Sequence, residues 1–127
     1  MLAREEDARV KYLCLVYLDE TKLEGLSASE RTALVDESLA YDEALRRSGH
    51  YITSSALQPV RTAATVRPRG GKVLVTDGPF AETREQLGGF LLIEASDRDE
   101  AIRVISKVPV ARLGGIEIRP VQELTHS

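Results

Sequence analysis

Apolar residues fall along the chain in short runs of two kinds. Val10–Leu18 and the run Phe90-Leu91-Leu92-Ile93 are apolar at almost every position, the mark of strands covered on both faces rather than one. In the first run Tyr12, Cys14 and Val16 alternate with Leu13, Leu15 and Tyr17, so neither side of that strand is left for bulk water. Ile116–Val121 behaves differently: Ile116 and Ile118 alternate with Glu117 and Arg119, which predicts a half-buried strand. Tyr51–Leu57 reads as extended chain broken at Gln58-Pro59, and Arg61–Arg67 alternates weakly. Pro68-Arg69-Gly70-Gly71 then turns the chain into Lys72–Thr76, predicting a β-hairpin whose tip carries Arg67, Arg69 and Lys72. Such a basic tip either meets phosphate or keeps an exposed hairpin soluble and unpaired.

Two segments carry helical signals. Ser27-Ala28-Ser29-Glu30 is a capping-box pattern. Leu34, Ser38, Tyr41 and Leu45 follow on one stripe, widened by Val35, and Gly49 offers a left-handed stop just after Arg46 and Arg47. Ser96-Asp97 caps a second helix with Asp99 and Glu100 in its first turn, a buried stripe of Ala101, Val104, Ile105 and Val108, and Pro109 to end it. Asp19–Gly25 and Ala111–Gly115 read as loops. Residues 1–9 and 124–127 read as tails, leaving one domain over 10–123.

The order strand, helix, strand, hairpin, strand, helix, strand is an α+β, ferredoxin-like βαββαβ arrangement with an inserted β-hairpin. Two helices cover one face of a four-stranded antiparallel sheet, yet the runs above are apolar on both faces. Each such side chain is worth about 1.5–3 kcal/mol when buried, so the uncovered face calls for a partner. Two copies stacked about a two-fold axis supply one, and a homodimer is expected, with a site near the rim of the stacked sheets.

Chemistry concentrates in Lys72–Ala95. Asp77-Gly78-Pro79 stops one strand and Gly88-Gly89 opens the next, leaving Asp77, Glu82, Arg84 and Glu85 in a loop between rigid neighbours. Asp77 has two readings. It is a general base or polar anchor at a pocket mouth, where a base would need burial or a like charge such as Glu82 or Glu85. Alternatively it caps its own turn by accepting backbone N–H groups two or three residues on. His50 either shuttles protons to a carboxylate or serves the helix end. Arg84 and Arg119 either grip a substrate carboxylate with paired N–H groups or pair with neighbouring glutamates.

Composition excludes more than it assigns. The 127 residues are 43% hydrophobic and 29% charged with a net charge of −3, which argues against a general binder of nucleic acid or anionic membrane. A single cysteine, Cys14, cannot form an internal disulfide. No apolar run approaches the ~20 residues of a spanning helix, and the acidic start has no apolar signal-peptide centre. A cytoplasmic protein is expected. No Cys or His spacing suggests zinc, the Gly-Gly pairs match neither phosphate loops nor dinucleotide fingerprints, and no Gly-x-Ser-x-Gly elbow occurs. No cofactor is expected.

The segment Val73–Thr83, V-L-V-T-D-G-P-F-A-E-T, continued by Glu85-Gln86-Leu87-Gly88-Gly89-Phe90, resembles the YCII-related family in the branch named for its D-G-P-F motif. The opening Lys11–Tyr17 and the ending Ile116–Val121 are similar too, so the likeness runs from about Val10 to Glu123. Family proteins usually begin with Met where this chain has Val10, which makes residues 1–9 an upstream-start extension or a natural tail. The resemblance implies a ferredoxin-like fold paired into a dimeric α+β barrel. It implies no assigned activity, since most of the branch lacks one, and many members are similar to proteins encoded beside extracytoplasmic-function sigma factors. More distant relatives include lyases and isomerases that pair a His, soon after the first strand, with an Asp. Here that segment, Leu18-Asp19-Glu20-Thr21-Lys22, holds no His, so the dyad does not carry over.

The expectation is therefore a protein that binds a small polar molecule near the dimer rim. Any catalysis would be cofactor-free acid–base work of lyase or isomerase type, with Asp77 central and Glu82, Arg84, His50 and Arg119 contacting substrate. The alternative is a non-catalytic interaction module linked to a sigma-factor pathway.

Overall fold

Val10–Leu18 (β1) runs between Gln86–Ala95 (β5) and Gly114–Pro120 (β6), antiparallel to both. Tyr51–Ala56 (β2) adds to the far side of β5 and completes a four-stranded sheet of order β2-β5-β1-β6. This is the ferredoxin-like order expected from the chain. The computed structural model describes residues 9–125; apart from Arg9, the tail expected over residues 1–9 lies outside them, as do the last two residues of the C-terminal tail.

Between these strands lie helices α1 (Glu20–Glu24), α2 (Ala28–Arg47) and α3 (Arg98–Ile105), and 3-10 turns at Val60–Thr62 and Pro109–Leu113. The capping box is formed: Ser27 Oγ accepts from Glu30 N at 3.1 Å and Glu30 Oε1 accepts from Ser27 N at 2.8 Å, satisfying opposite orphan donors. Asp97 caps α3 through Glu100 N at 2.9 Å. That helix ends at Ile105, short of the expected Val108, which is nonetheless buried. No helix among the described residues is long and apolar enough to cross a membrane.

The core sits on the helix side of the sheet. Tyr12, Cys14, Val16 and Leu18 of β1 and Leu91, Ile93 and Ala95 of β5 meet Leu45, Ala101, Ile105 and Val108. Burial pushes the Cys14 thiol up to about 12, so it stays protonated and inert. On the other face Leu13, Leu15, Tyr17, Phe90 and Leu92 are only half-buried. The period-2 alternation thus divides one greasy set under the helices from a second facing outward.

The inserted hairpin is Ala64–Arg69 (β3) and Lys72–Asp77 (β4), a separate two-stranded sheet. Its turn needs Gly at both central positions, since Gly70 and Gly71 have φ of 56° and 78°, the type I′ geometry that matches strand twist. Val66 faces Val75 and Pro68 faces Val73 across the ladder, and the three valines are each more than half exposed.

Three expectations are corrected. Asp19–Gly25 is not a plain loop, because Asp19 N-caps α1. Val35 does not widen the buried stripe of α2; it is 55% exposed. Strand β5 begins at Gln86, earlier than the Gly pair, because Gly88 is skipped at a bulge where Val16 pairs with Gly89 and Tyr17 with Leu87. At both glycines a side chain would collide, with Leu18 Cδ1 at 2.7 Å from a Cβ on Gly88 and Ser55 O at 2.8 Å from one on Gly89.

Candidate functional site

β1 ends in a carboxylate. Asp19 follows the last strand residue, is 4% exposed, and donates its own N–H to Leu113 O at 3.2 Å. Its Oδ1 accepts from Thr21 Oγ1 at 2.5 Å and Thr21 N at 3.0 Å, and its Oδ2 accepts from Arg84 Nε at 3.3 Å. These bonds, the Thr21 hydroxyl first and Arg84 after it, hold the carboxyl below its ordinary range against the opposing effect of burial. A carboxylate so held is a fixed negative charge and an acceptor, and a poor general base. Next to it, Glu20 Oε2 accepts from Val60 N at 3.0 Å, tying α1 to the turn after β2.

The loop after β4 is fixed from outside rather than by Asp77. Gly78, at φ 115°, donates to Ala63 O at 2.8 Å, and its carbonyl accepts from Thr65 Oγ1 at 3.0 Å. Gln86 Nε2 reaches back to Ala81 O at 3.1 Å and Thr83 O at 2.9 Å, and Thr83 Oγ1 closes on Glu85 O at 2.6 Å. The Asp77 carboxylate takes no hydrogen bond from the described residues, so the reading in which it caps its own turn fails. It is exposed and available to a ligand.

These segments enclose an open cleft of about 550 Å³, lined by Asp19, Glu20, Arg61, Asp77, Glu82 and Arg84 among others. Carboxylates outnumber guanidiniums, but Asp19 and Glu20 are already committed. Asp77 and Glu82 remain to receive N–H or O–H donors, with Arg61 and Arg84 for an acceptor. Among the described residues no group of three or more His, Cys, Asp or Glu is placed to hold a metal ion.

Of the residues singled out in the sequence, Asp77, Glu82 and Arg84 come together here. His50 and Arg119 do not. His50 precedes β2 at the far end of the sheet, where Nδ1 lies 2.7 Å from Ser48 Oγ and Nε2 lies 3.6 Å from Glu100 Oε1. The length of β5 separates it from the cleft, about 30 Å at strand rise. Arg119 stands opposite Leu13 on the outward face and reaches Glu117 at 3.7 Å. Sequence reasoning missed Asp19, Glu20 and Gln86. The signal for Asp19 was present, an Asp two residues before a Thr at the close of an apolar strand, which is an N-cap pattern. For Gln86 no such signal existed, because its partners are carbonyls in an irregular loop.

Comparison with known proteins agrees with this architecture. The family described as "YCII-related domain" matches residues 10–125. An uncharacterized protein of Rhizobium meliloti (strain 1021) is 35% identical over 112 residues, which span 87% of this chain and 90% of that protein. A match over so much of both sequences carries the whole domain rather than one motif, and the chain belongs to the YCII-related family.

Proposed function

We propose that the cleft between α1 and the Asp77–Gln86 segment binds a small polar molecule. One observation carries this reading: Asp19, Asp77 and Arg84, drawn from three separate stretches of chain, line one concavity in which Asp77 alone of the three is free of internal hydrogen bonds among the described residues. The ligand presents N–H or O–H donors to Asp77 and Glu82, and an acceptor to Arg84. Where the bound molecule carries an acidic C–H or O–H, Asp77 is the group to exchange its proton without a cofactor, while Asp19 supplies fixed charge.

The functional unit in this reading is a homodimer. The outward face has the make-up of an interface, with Leu13, Leu15, Tyr17, Phe90 and Leu92 in the middle strands and Thr53, Ser55, Glu117 and Arg119 on the edge strands. Tyr17 and Leu87 pair on that face directly beside Asp19 and Gln86, so a second copy would border the cleft.

A second reading is a non-catalytic interaction module in an extracytoplasmic-function sigma-factor pathway. Its support is the arm: Val66, Val73 and Val75 on β3–β4 and Phe80, 78% exposed, offer apolar surface away from the cleft. A thermal-shift screen of polar metabolites separates the two. A ligand at 100 times its Kd adds about 2.7 kcal/mol of stability. The first reading expects a hit that Asp77→Asn abolishes while the melting temperature and mass of the free protein stay unchanged. A blank screen together with recovery of one specific protein through the intact arm, lost in Val73→Lys, favours the second.

A further inference from the structure

Helix α2 packs on the core through Leu45 and through Tyr41, whose hydroxyl donates to Val104 O, and a groove opens along its flank between Leu34 and Asp42. Leu45 joins the main core, whereas Leu34 is buried without belonging to that cluster, and Leu39 between them is 62% exposed. This second cavity of about 530 Å³ is bounded by Val16, Leu18 and Leu91 of the sheet, Leu34 and Leu39 of α2, and Val108 before the second 3-10 turn. That volume is in the range of small-molecule sites. The wall is mostly carbon, with Glu24 and Ser38 among its polar members, and beside β2 Asp42 Oδ2 accepts from Ser54 Oγ at 3.3 Å while Ser54 Oγ lies 2.7 Å from Tyr51 OH. Burial raises the Asp42 carboxyl above its ordinary range, and its other oxygen has no partner among the described residues. Glu20 lines this chamber and the polar cleft alike, with its carboxylate tied to Val60, so the two spaces share a wall.

We propose that the chamber beside α2 is a second binding site, for a largely apolar small molecule with an N–H or O–H donor received by Asp42. Its apolar lining stays open to water on one side, where Leu39 and Leu57 are 62% and 47% exposed, and a bound apolar molecule would cover it. A second copy of the chain is the poorer occupant, because the sheet face proposed to meet it lies on the other side of the sheet from α2.

The site is tested with N-phenyl-1-naphthylamine, an apolar arylamine that carries one N–H and fluoresces when removed from water. The expected result is a saturable rise at one probe per chain. Asp42→Leu should weaken binding about tenfold through loss of one hydrogen bond to the carboxyl. The chain has no tryptophan, so Leu39→Trp, made at an exposed position on the chamber rim, places a lone emitter there whose light should be quenched as the probe fills the site. Binding that does not saturate, or that leaves both the tryptophan emission and the Asp42→Leu affinity unchanged, overturns the proposal. So does binding lost in Leu15→Lys, which would put the probe on the outward sheet face. Asp77→Asn leaves the titration unchanged, so failure of the polar-cleft reading and failure of this one are read separately.

Discussion

Arg84 Nε donates to Asp19 Oδ2 at 3.3 Å across 65 positions of chain, joining an almost fully exposed cation to a nearly buried carboxylate. The two partners are not equivalent. Asp19 also holds the first turn of α1 through Thr21, whereas Arg84 is 87% exposed and its pairing is screened by water. Asp19→Ala should therefore lower the melting temperature by several degrees, through loss of a cap and of a buried acceptor. Arg84→Ala should leave the melting temperature nearly unchanged and weaken only ligand binding in the cleft. Thermal melts of the two variants, followed by circular dichroism with and without a screened ligand, check the asymmetry.

Acid stability follows from the same carboxylate. Asp19 and Glu100 both sit below the ordinary range in the folded chain, Asp19 chiefly through Thr21 and Glu100 chiefly through the Ser96 N–H, with His50 and Arg9 adding to it. A depressed folded value means that the folded state resists protonation. The stability these groups contribute is complete above the unfolded carboxylate values of about 4 and disappears as pH falls through the lower folded values. Urea melts from pH 7 downward should show Asp19→Asn less stable at neutral pH, with the gap to the wild type closing in acid. Asp42 has the opposite sign. Burial raises it, so its ionisation opposes folding above the folded value, and Asp42→Asn should gain stability at pH 7 and none at pH 3.

How much of this the sequence announced depends on where each contact was made. The ferredoxin-like order and both long helices follow from local rules: alternation in β1 and β6, the Ser27–Glu30 box, the Asp97 cap and the paired glycines of the hairpin turn. The cleft was only half legible. Asp77, Glu82 and Arg84 lie in one loop, so their proximity was visible, but Arg84 finds Asp19 only through tertiary folding. His50 and Arg119 were plausible by residue type and wrongly placed for this cleft, since one end of a sheet cannot be told from the other without the register. The chamber beside α2 was invisible because helical periodicity marks Leu34 and Leu45 as inward-facing without saying whether anything fills the space between them.

Two glycines separate shape from torsion. Gly114 opens β6 at φ 179°, ordinary extended chain, but a Cβ there would run into Tyr17 O. Gly114→Ala must push β6 off β1 and should cost at least about 1–3 kcal/mol, the range for overpacking. Gly78 has open space around it and a φ of +115°, so Gly78→Ala should cost a similar amount, about 1–3 kcal/mol, from backbone strain alone. Urea unfolding measures both losses. The two should differ in kind: Gly78→Ala displaces the neighbouring Asp77 and loses the cleft ligand, whereas Gly114→Ala acts on the sheet.

Leu15 tests the pairing of two chains most directly. It lies in the middle of β1 on the outward face, opposite Phe90 on one side and Glu117 on the other, and its alternate neighbours Cys14 and Val16 already face the core. A lysine at this position therefore has no access to the buried side and leaves the monomer's own packing intact. At an interface it would bury an unpaired charge on each chain while removing apolar contact worth about 1.5–3 kcal/mol per side chain. Light scattering at micromolar concentration should give twice the chain mass for the wild type and one chain mass for Leu15→Lys, with unchanged far-ultraviolet circular dichroism. Val35→Lys, an exposed change on the opposite side of the sheet, should keep the doubled mass. A wild-type mass equal to a single chain would leave the outward face without a second copy and remove the subunit boundary proposed beside Asp19.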